Sequence, residues 1–182
     1  MCFNFFKFSL FKTKVNSFSD KLQKDVIDHK TEFPVFLELI KNKCKFHYST
    51  LVMSLIYLER IKRNLKLNNI NINTEKIYLY YFVGCIVSDK YLEEYNYSFR
   101  FLSSKTGYSK KDLVKLEQIF LEELDWDLFV SDSEFFKIND LLIENSICFN
   151  FSNDIPINNQ LNNNELFRVI DMYLKRRFLL PE

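Results

Sequence analysis

Charged side chains placed within apolar helical stripes are the residues of this sequence best suited to chemistry or recognition. Glu117 follows Leu113 by four residues and precedes Phe120 by three, which sets a carboxylate on an apolar stripe. Lys90 follows Val87 by three residues at the end of another predicted helix, where the helix dipole favours a cation. Such charges are either edge residues that reach solvent or part of a surface covered by a partner, where a Lys90–Glu117 ion pair would lose its water.

A second acidic residue interrupts an apolar helical face earlier in the chain. Glu59 lies within the predicted helix at residues 49–64 and is followed at once by Arg60. The same two interpretations apply to this pair, a solvated edge or a contact with another part of a protein.

The sequence favours no catalytic site. Asp125 and Asp127 flank Trp126, and Glu93 and Glu94 are adjacent, but neighbouring side chains on a helix point in different directions. They therefore do not form a paired acid and base. The two histidines have no evident serine or cysteine nucleophile near them in the sequence. We expect a protein that is not an enzyme.

Metal and cofactor sites are not expected either. The cysteines are widely spaced and form no C-x-x-C pair; they are Cys2, Cys44, Cys85 and Cys148. This scatter is typical of buried thiols in a reducing interior rather than of metal ligands. The chain has only 2 glycines, so no loop can cradle a nucleotide phosphate in the usual glycine-rich manner.

The composition indicates one soluble globular domain with appendages. The chain has 182 residues, of which 47% are apolar and 27% charged. Lys and Arg number 25 against 24 Asp and Glu, a net charge of +1, so we expect no nucleic-acid partner. The apolar start of the chain is broken by Lys7, and no uncharged apolar run is long enough to span a membrane. We expect an intracellular protein, in the nucleus or the cytoplasm, with no membrane partner.

Apolar residues at helical spacing predict an all-α fold. The predicted helices cover residues 33–43, 49–64, 74–94, 110–125, 131 or 133 to 147, and 165–178, with a short turn of helix at 99–104. Thr31, Thr74 and Ser109 precede three of them as capping residues, and Ser131 or Ser133 with Glu134 starts the helix that ends at 147. We divide the chain into an N-terminal extension at 1–30, a domain at 31–147, and an Asn-rich linker with a C-terminal amphipathic helix at 148–182.

A glycine in the middle of the predicted helix at 74–94 is unusual in this chain. Gly84 costs about 1 kcal/mol of helix stability relative to alanine, and small residues, Cys85 and Ser88, follow it. The simplest explanation is the close approach of another helix. This helix is therefore expected to be the central one.

Four segments, in this order, resemble the cyclin family, and in particular the single-box phosphate-signalling or P/U-type cyclins. Residues 55–60 give an aliphatic run, Tyr, an aliphatic residue, an acid and Arg. Residues 88–94 give a small residue, a variable one, Lys, an aromatic, a variable one and an acidic pair. Residues 95–107 resemble the connection to the next helix. The fourth segment contains Leu116-Glu117 followed by Leu121, Leu124, Trp126, Asp127 and Leu128.

The resemblance covers residues 33–147 and implies a five-helix cyclin box that binds and activates a cyclin-dependent protein kinase. In that family the residues matching Lys90 and Glu117 contact the kinase near its C helix. The positions of Tyr91, Leu121 and Trp126 present apolar surface to it. The kinase would carry out all the catalysis.

The resemblance also implies structural residues and shows departures from the family pattern. Glu59 replaces the usual Asp before Arg60, and this acidic residue holds its helix to its surroundings in cyclins. The Met-Arg-x-x-Leu segment of many cell-cycle cyclins is absent at residues 35–40, so we expect no substrate-docking groove of that type. An Arg-x-x-Leu string at 176–179 is either a degradation signal or a chance match.

Two other functions remain open at this stage. A cyclin-box-like transcription or scaffold protein would use the same helices without a kinase, although such proteins usually carry a basic face and paired boxes. A helical membrane-surface module would use the Phe-rich residues 1–18 to bind lipid.

Overall fold

A computed structural model describes residues 40, 43–67, 76–147 and 163–179, and its regular elements in those ranges are all helical. They are α1 (Tyr48–Leu67), α2 (Lys76–Leu92), α3 (Phe99–Thr106), α4 (Lys110–Glu123), α5 (Asp132–Ile147) and α6 (Asn163–Leu174), followed by a π-helical turn (Lys175–Leu179). The all-α prediction is confirmed. The N-terminal extension, most of the helix predicted at 33–43 and most of the Asn-rich linker lie outside the described residues.

The core is built around the packing of α1 against α2. Residues 50–58 of α1 are all buried, because α2 and α5 both pack against this helix. α4 packs on α2, α3 packs on α4, and α6 packs on α5. The largest fully buried side chains include Tyr57 from α1, Tyr81 and Phe82 from α2, and Phe120 from α4. Removing any of them would leave a cavity in a close-packed interior.

Gly84 lies where α2 meets both α1 and α4. A Cβ atom at this position would stand 2.6 Å from Ser54 Oγ and 3.2 Å from the Phe120 ring. The Ser54 hydroxyl is itself fixed, because it donates a hydrogen bond of 2.8 Å to the Tyr81 carbonyl. Any side chain at residue 84 would therefore displace a buried, hydrogen-bonded group or an aromatic ring.

Serine caps and a glycine define the ends of α3 and the start of α4. Ser98 Oγ accepts a hydrogen bond from the Phe101 amide, and Ser109 Oγ accepts one from the Asp112 amide. Gly107 ends α3 with φ 80°, in the left-handed region, and its amide bonds to the Ser103 carbonyl. The segment predicted as one short turn is thus a helix of 8 residues with a cap at each end.

The end of α4 differs from the prediction, which extended the helix to residue 125. The helix ends at Glu123, and Asp125 and Trp126 adopt φ values of 56° and 59°. The left-handed region is unfavourable for residues with a Cβ, and each such residue costs on the order of 1 kcal/mol. The reversal is closed by a hydrogen bond of 2.9 Å from the Trp126 amide to the Leu121 carbonyl. It leaves the Trp126 side chain 61% exposed.

The C-terminal helix begins two residues before its predicted start and ends as a π-helical turn. Its buried residues are Leu166, Val169, Ile170, Tyr173 and Leu174, at the spacing of one helical face. The π-helical turn places Arg176 and Arg177 beside α1 and α5, since Arg176 bonds to Asn145 and Arg177 to Glu59. The prediction of an amphipathic helix here holds, and the π-helical turn was not foreseen.

Candidate partner-binding site

Lys90 and Glu117 form an ion pair between two helices. Lys90 comes from the last turn of α2 and Glu117 from the middle of α4, and Lys90 Nζ lies 2.6 Å from Glu117 Oε1. The lysine side chain is 32% exposed and the glutamate side chain 16%. Lys90 Nζ also lies 4.0 Å from the centre of the Phe99 ring, so one cation joins three helices. Both side chains are therefore partly buried, and neither is fully enclosed by the protein.

Several apolar side chains close to this ion pair in the sequence are exposed. Tyr91 is 49% exposed and Tyr95 90%, and Leu92 and Val114 are also exposed. Leu121 is half-buried one turn after Glu117 on α4. Exposed large apolar groups on the same helix ends as a partly desolvated charge pair are typical of a surface that binds another protein. We call residues 90, 91, 92, 95, 114 and 117 the ion-pair face.

Tyr57 of α1 holds the segment that follows Trp126. Burial raises the pKa of the Tyr57 phenol, and the nearby Tyr91 raises it further. The Tyr57 hydroxyl donates a hydrogen bond of 2.8 Å to the carbonyl of Leu128. Tyr57 therefore fixes the backbone two residues after Trp126.

Arg60 holds the segment after α4 from inside the protein. Its guanidinium donates to the carbonyls of Asp127 and Phe129 at 2.8 and 2.7 Å, and to Glu134 Oε2 at 2.9 Å. It also lies 3.2 Å from Asp127 Oδ2, and its side chain is only 10% exposed. A planar group with several donors suits this combination of carbonyls and carboxylate. Arg60 thereby fixes the backbone next to the left-handed Trp126.

Glu134 completes the Arg60 network and caps α5. The Ser131 amide donates to Glu134 Oε2 at 3.2 Å, and the Glu134 amide donates back to Ser131 Oγ at 3.3 Å. Desolvation raises the pKa of Glu134, but the hydrogen bonds from Arg60 and Ser131 outweigh it and keep the pKa below its usual value. Sequence analysis identified Ser131 and Glu134 as a possible helix start, but not as the partner of Arg60.

Glu59 is directed to the C-terminal end of the chain. Its Oε1 accepts hydrogen bonds from the Tyr173 hydroxyl at 2.9 Å and from Arg177 Nε at 2.8 Å. The carboxylate is 15% exposed. Glu59 and Arg60 are adjacent in the sequence, yet one binds α6 and the following turn while the other binds the α4–α5 connection.

Asp89 is a buried residue beside the site that sequence analysis did not select. It is 5% exposed, and its Oδ2 accepts a hydrogen bond of 3.1 Å from the Tyr97 amide. Burial raises its pKa in spite of this bond. Asp89 thus anchors the turn that carries Tyr95. The only sequence signal is its position immediately before Lys90.

The described residues form neither a metal site nor a site with a reactive thiol. Within the described ranges, no three His, Cys, Asp or Glu side chains converge on a possible metal position. Cys44 and Cys85 are buried free thiols, and burial raises their pKa values to about 11 and about 12. Thiols with such pKa values stay protonated at neutral pH and are poor nucleophiles. No described helix is long and apolar enough to cross a membrane.

Comparison with known proteins identifies the family. No curated protein and no solved structure matches the chain. The family model for cyclins matches residues 10–128, which is more than half of the sequence. The match contains α1 to α4, with Lys90, Glu117 and Trp126, and it ends before α5. It begins within the segment assigned to the N-terminal extension. On this match and this helical fold, the chain belongs to the cyclin family.

Proposed function

We propose that this cyclin is the regulatory subunit of a cyclin-dependent protein kinase, which it binds and activates. The observation that supports the proposal is the ion-pair face, where Lys90 and Glu117 meet at 2.6 Å among exposed apolar side chains. A kinase that covers this face would bury the apolar groups and remove the remaining water from the pair. The subunit itself contributes no catalytic group.

Activation would come from a shift in the kinase's conformational population. The active form of a protein kinase needs its C-helix glutamate paired with the lysine that positions ATP. A cyclin that binds this form more tightly than the inactive one raises its population by the difference in affinity. In this proposal Lys90 and Glu117 make polar contacts, while Tyr91, Leu121 and Trp126 make apolar ones.

The first test is purification of the tagged full chain from its own cells, followed by mass spectrometry and a kinase assay. We expect a cyclin-dependent kinase in a stoichiometric complex, with activity that depends on this chain. Recovery of polymerase or scaffold components without a kinase, together with salt-sensitive binding to duplex DNA, would favour the cyclin-box-like transcription or scaffold alternative.

A charge exchange separates the interface role of the ion pair from its role within the chain. Lys90→Glu and Glu117→Lys, made singly, break the pair and place a like charge at its position. The double variant restores an opposite-charge pair in reversed order. We expect its thermal stability to return to that of the native chain, while kinase binding and activation stay lost, because the partner meets the wrong charges.

A matched control for these variants is Lys111→Glu. Lys111 is exposed near the start of α4, six residues before Glu117, and the substitution makes the same change in net charge as Lys90→Glu. It should leave kinase activation unchanged. If the double exchange activates the kinase as well as the native chain does, this assignment of the interface is wrong.

The P/U-type assignment and the cellular compartment belong to the same proposal. The segment at residues 95–107 supports the P/U-type. Imaging of the tagged protein should show it in the nucleus, the cytoplasm or both.

A further inference from the structure

A cavity of about 610 Å³ lies between α1, α5 and the C-terminal π-helical turn. Its charged lining consists of Glu59, Arg63, Glu134, Lys137, Arg176 and Arg177. None of these residues belongs to the ion-pair face, and α5 and α6 both lie beyond the part of the chain matched by the family model. The volume is within the range of cavities that bind small ligands or a few residues of a peptide.

The two carboxylates in the lining are already neutralised by arginines. Glu59 accepts from Arg177 at 2.8 Å and from the Tyr173 hydroxyl. Glu134 is paired with Arg60, which stands outside the lining, and it also caps α5. The cations of the lining are therefore not balanced by its acids, and the cavity carries a positive charge.

Two of the cations face the cavity without a partner among the residues that the structure describes. Arg63 lies one turn after Glu59 on α1, and Lys137 lies one turn after Glu134 on α5. Both are exposed, and neither makes an ion pair or hydrogen bond with a described residue. Arg176 is held from a third direction by a bond of 2.9 Å to Asn145 Oδ1. Cations thus converge on one space from three elements.

The shape and lining of the cavity favour a single anionic group with an apolar neighbour. Ile56, Ile138 and Leu141 provide apolar wall between the charged residues. Arginine guanidinium groups match the geometry of phosphate oxygens, and a phosphate monoester carries close to two negative charges at neutral pH. A nucleic-acid backbone would instead need a continuous basic stripe, and the chain has a net charge of only +1.

From this charge complementarity we propose that the cavity binds a phosphorylated segment of a partner protein. The phosphate of a phosphoserine or phosphothreonine would be held by Arg63, Lys137 and Arg176, and an adjacent apolar side chain would contact Ile138 and Leu141. Binding is reversible and changes no covalent bond. The cyclin would in this way select phosphorylated partners at a site separate from the ion-pair face.

The test measures binding of the full chain to labelled peptides by fluorescence anisotropy. One pool of short peptides has a fixed central phosphoserine or phosphothreonine and varied flanking residues, and a second pool is the same material after phosphatase treatment. We expect the phosphorylated pool to bind and the dephosphorylated pool not to bind. Equal binding of the two pools, or binding of neither, overturns the proposal.

Paired substitutions locate the binding and control for charge. Arg63→Ala with Lys137→Ala removes two exposed cations from the cavity and should weaken phosphopeptide binding by about tenfold or more. Lys110→Ala with Lys111→Ala removes the same charge from α4 and should not. Equal weakening by the two double variants means attraction to net charge alone and rejects the site.

Two further measurements separate this proposal from its competitors. Vesicles containing phosphoinositides test whether a lipid headgroup is the ligand; vesicle binding without peptide binding would reject the phosphopeptide. Kinase activation by the Arg63→Ala, Lys137→Ala variant should equal that of the native chain on a substrate without phosphorylated residues. A loss of that activation, with peptide binding retained, would place these residues at the kinase interface instead.

Discussion

Two cations of this cyclin bind carboxylates at similar distances but differ in their exposure and in the number of their other partners. Arg60 lies 2.9 Å from Glu134, and Lys90 lies 2.6 Å from Glu117. The Arg60 side chain is 10% exposed and also binds two backbone carbonyls of the segment after α4. The Lys90 side chain is 32% exposed. The number of partners within the chain, rather than the presence of an ion pair, separates the structural charge of Arg60 from the charge of Lys90 that we propose as an interface contact.

The largest expected effect is the loss of Arg60. Arg60→Met leaves the carbonyls of Asp127 and Phe129 without their donor and Glu134 without its cation, and it should lower the free energy of unfolding by about 3 kcal/mol. Urea denaturation measures this loss. Arg63→Met is the matched control, one turn away and exposed, and should change the free energy by less than about 0.5 kcal/mol. Similar values for the two variants would contradict the structural role of Arg60.

A smaller effect, with a defined pH dependence, is expected at Glu134. Its pKa is lowered in the folded chain, so its contribution to stability is present above the usual glutamate pKa and is lost as the pH falls through the folded value. Glu134→Gln should cost about 1 kcal/mol at neutral pH, and the difference from the native chain should shrink below about pH 4.5. Denaturation at several pH values measures it. Glu144→Gln, on the exposed side of α5, should show no such change.

At the strained turn of Trp126, two variants should differ in stability and bind the kinase equally. Trp126→Gly and Trp126→Ala both remove the exposed indole, but only glycine accepts φ 59° without strain. The glycine variant should be more stable than the alanine variant by about 1 kcal/mol. Both should bind the kinase equally weakly in a titration of activity. Full activation by either variant would remove Trp126 from the interface.

The smallest effect on stability is expected at Lys90, and it completes the comparison. Lys90→Met breaks the partly exposed pair and keeps the apolar part of the side chain, so the free energy of unfolding should change by about 0.5 kcal/mol or less. Kinase activation should nevertheless fall strongly. A loss of stability as large as that of Arg60→Met would show that Lys90, too, serves mainly to hold the fold.

The helices were largely predictable because their signals are local. Apolar spacing gave α1, α2, α4 and α5 to within a few residues, and serine caps set the starts of α4 and α5. The end of α4 was placed two residues late, because the reversal at residues 125 and 126 contains no glycine, which is the usual sequence signal of a left-handed residue. The left-handed conformation there accompanies long-range contacts of the Arg60 network, which no local pattern contains.

The candidate site was predictable in part. Charges within the apolar stripes, and then the family resemblance, selected Lys90 and Glu117, which the structure brings together across 27 positions of sequence. It did not indicate that Glu59 binds Tyr173 and Arg177, which lie 114 and 118 positions away. The basic cavity was also missed, because its cations come from three helical segments whose packing the sequence does not state.

The bond between Glu59 and the C-terminal turn bears on where this protein can be cut. A chain cut at residue 147, the predicted end of the box, would lack Tyr173 and Arg177. The Glu59 carboxylate on α1 would then lose these two hydrogen-bond donors. It would also uncover the apolar groups on α5 that α6 covers. A clone ended at residue 128 would further lose Glu134, and with it the carboxylate that Arg60 holds. The region by which the family is recognised is therefore shorter than the cooperative unit that must be expressed whole.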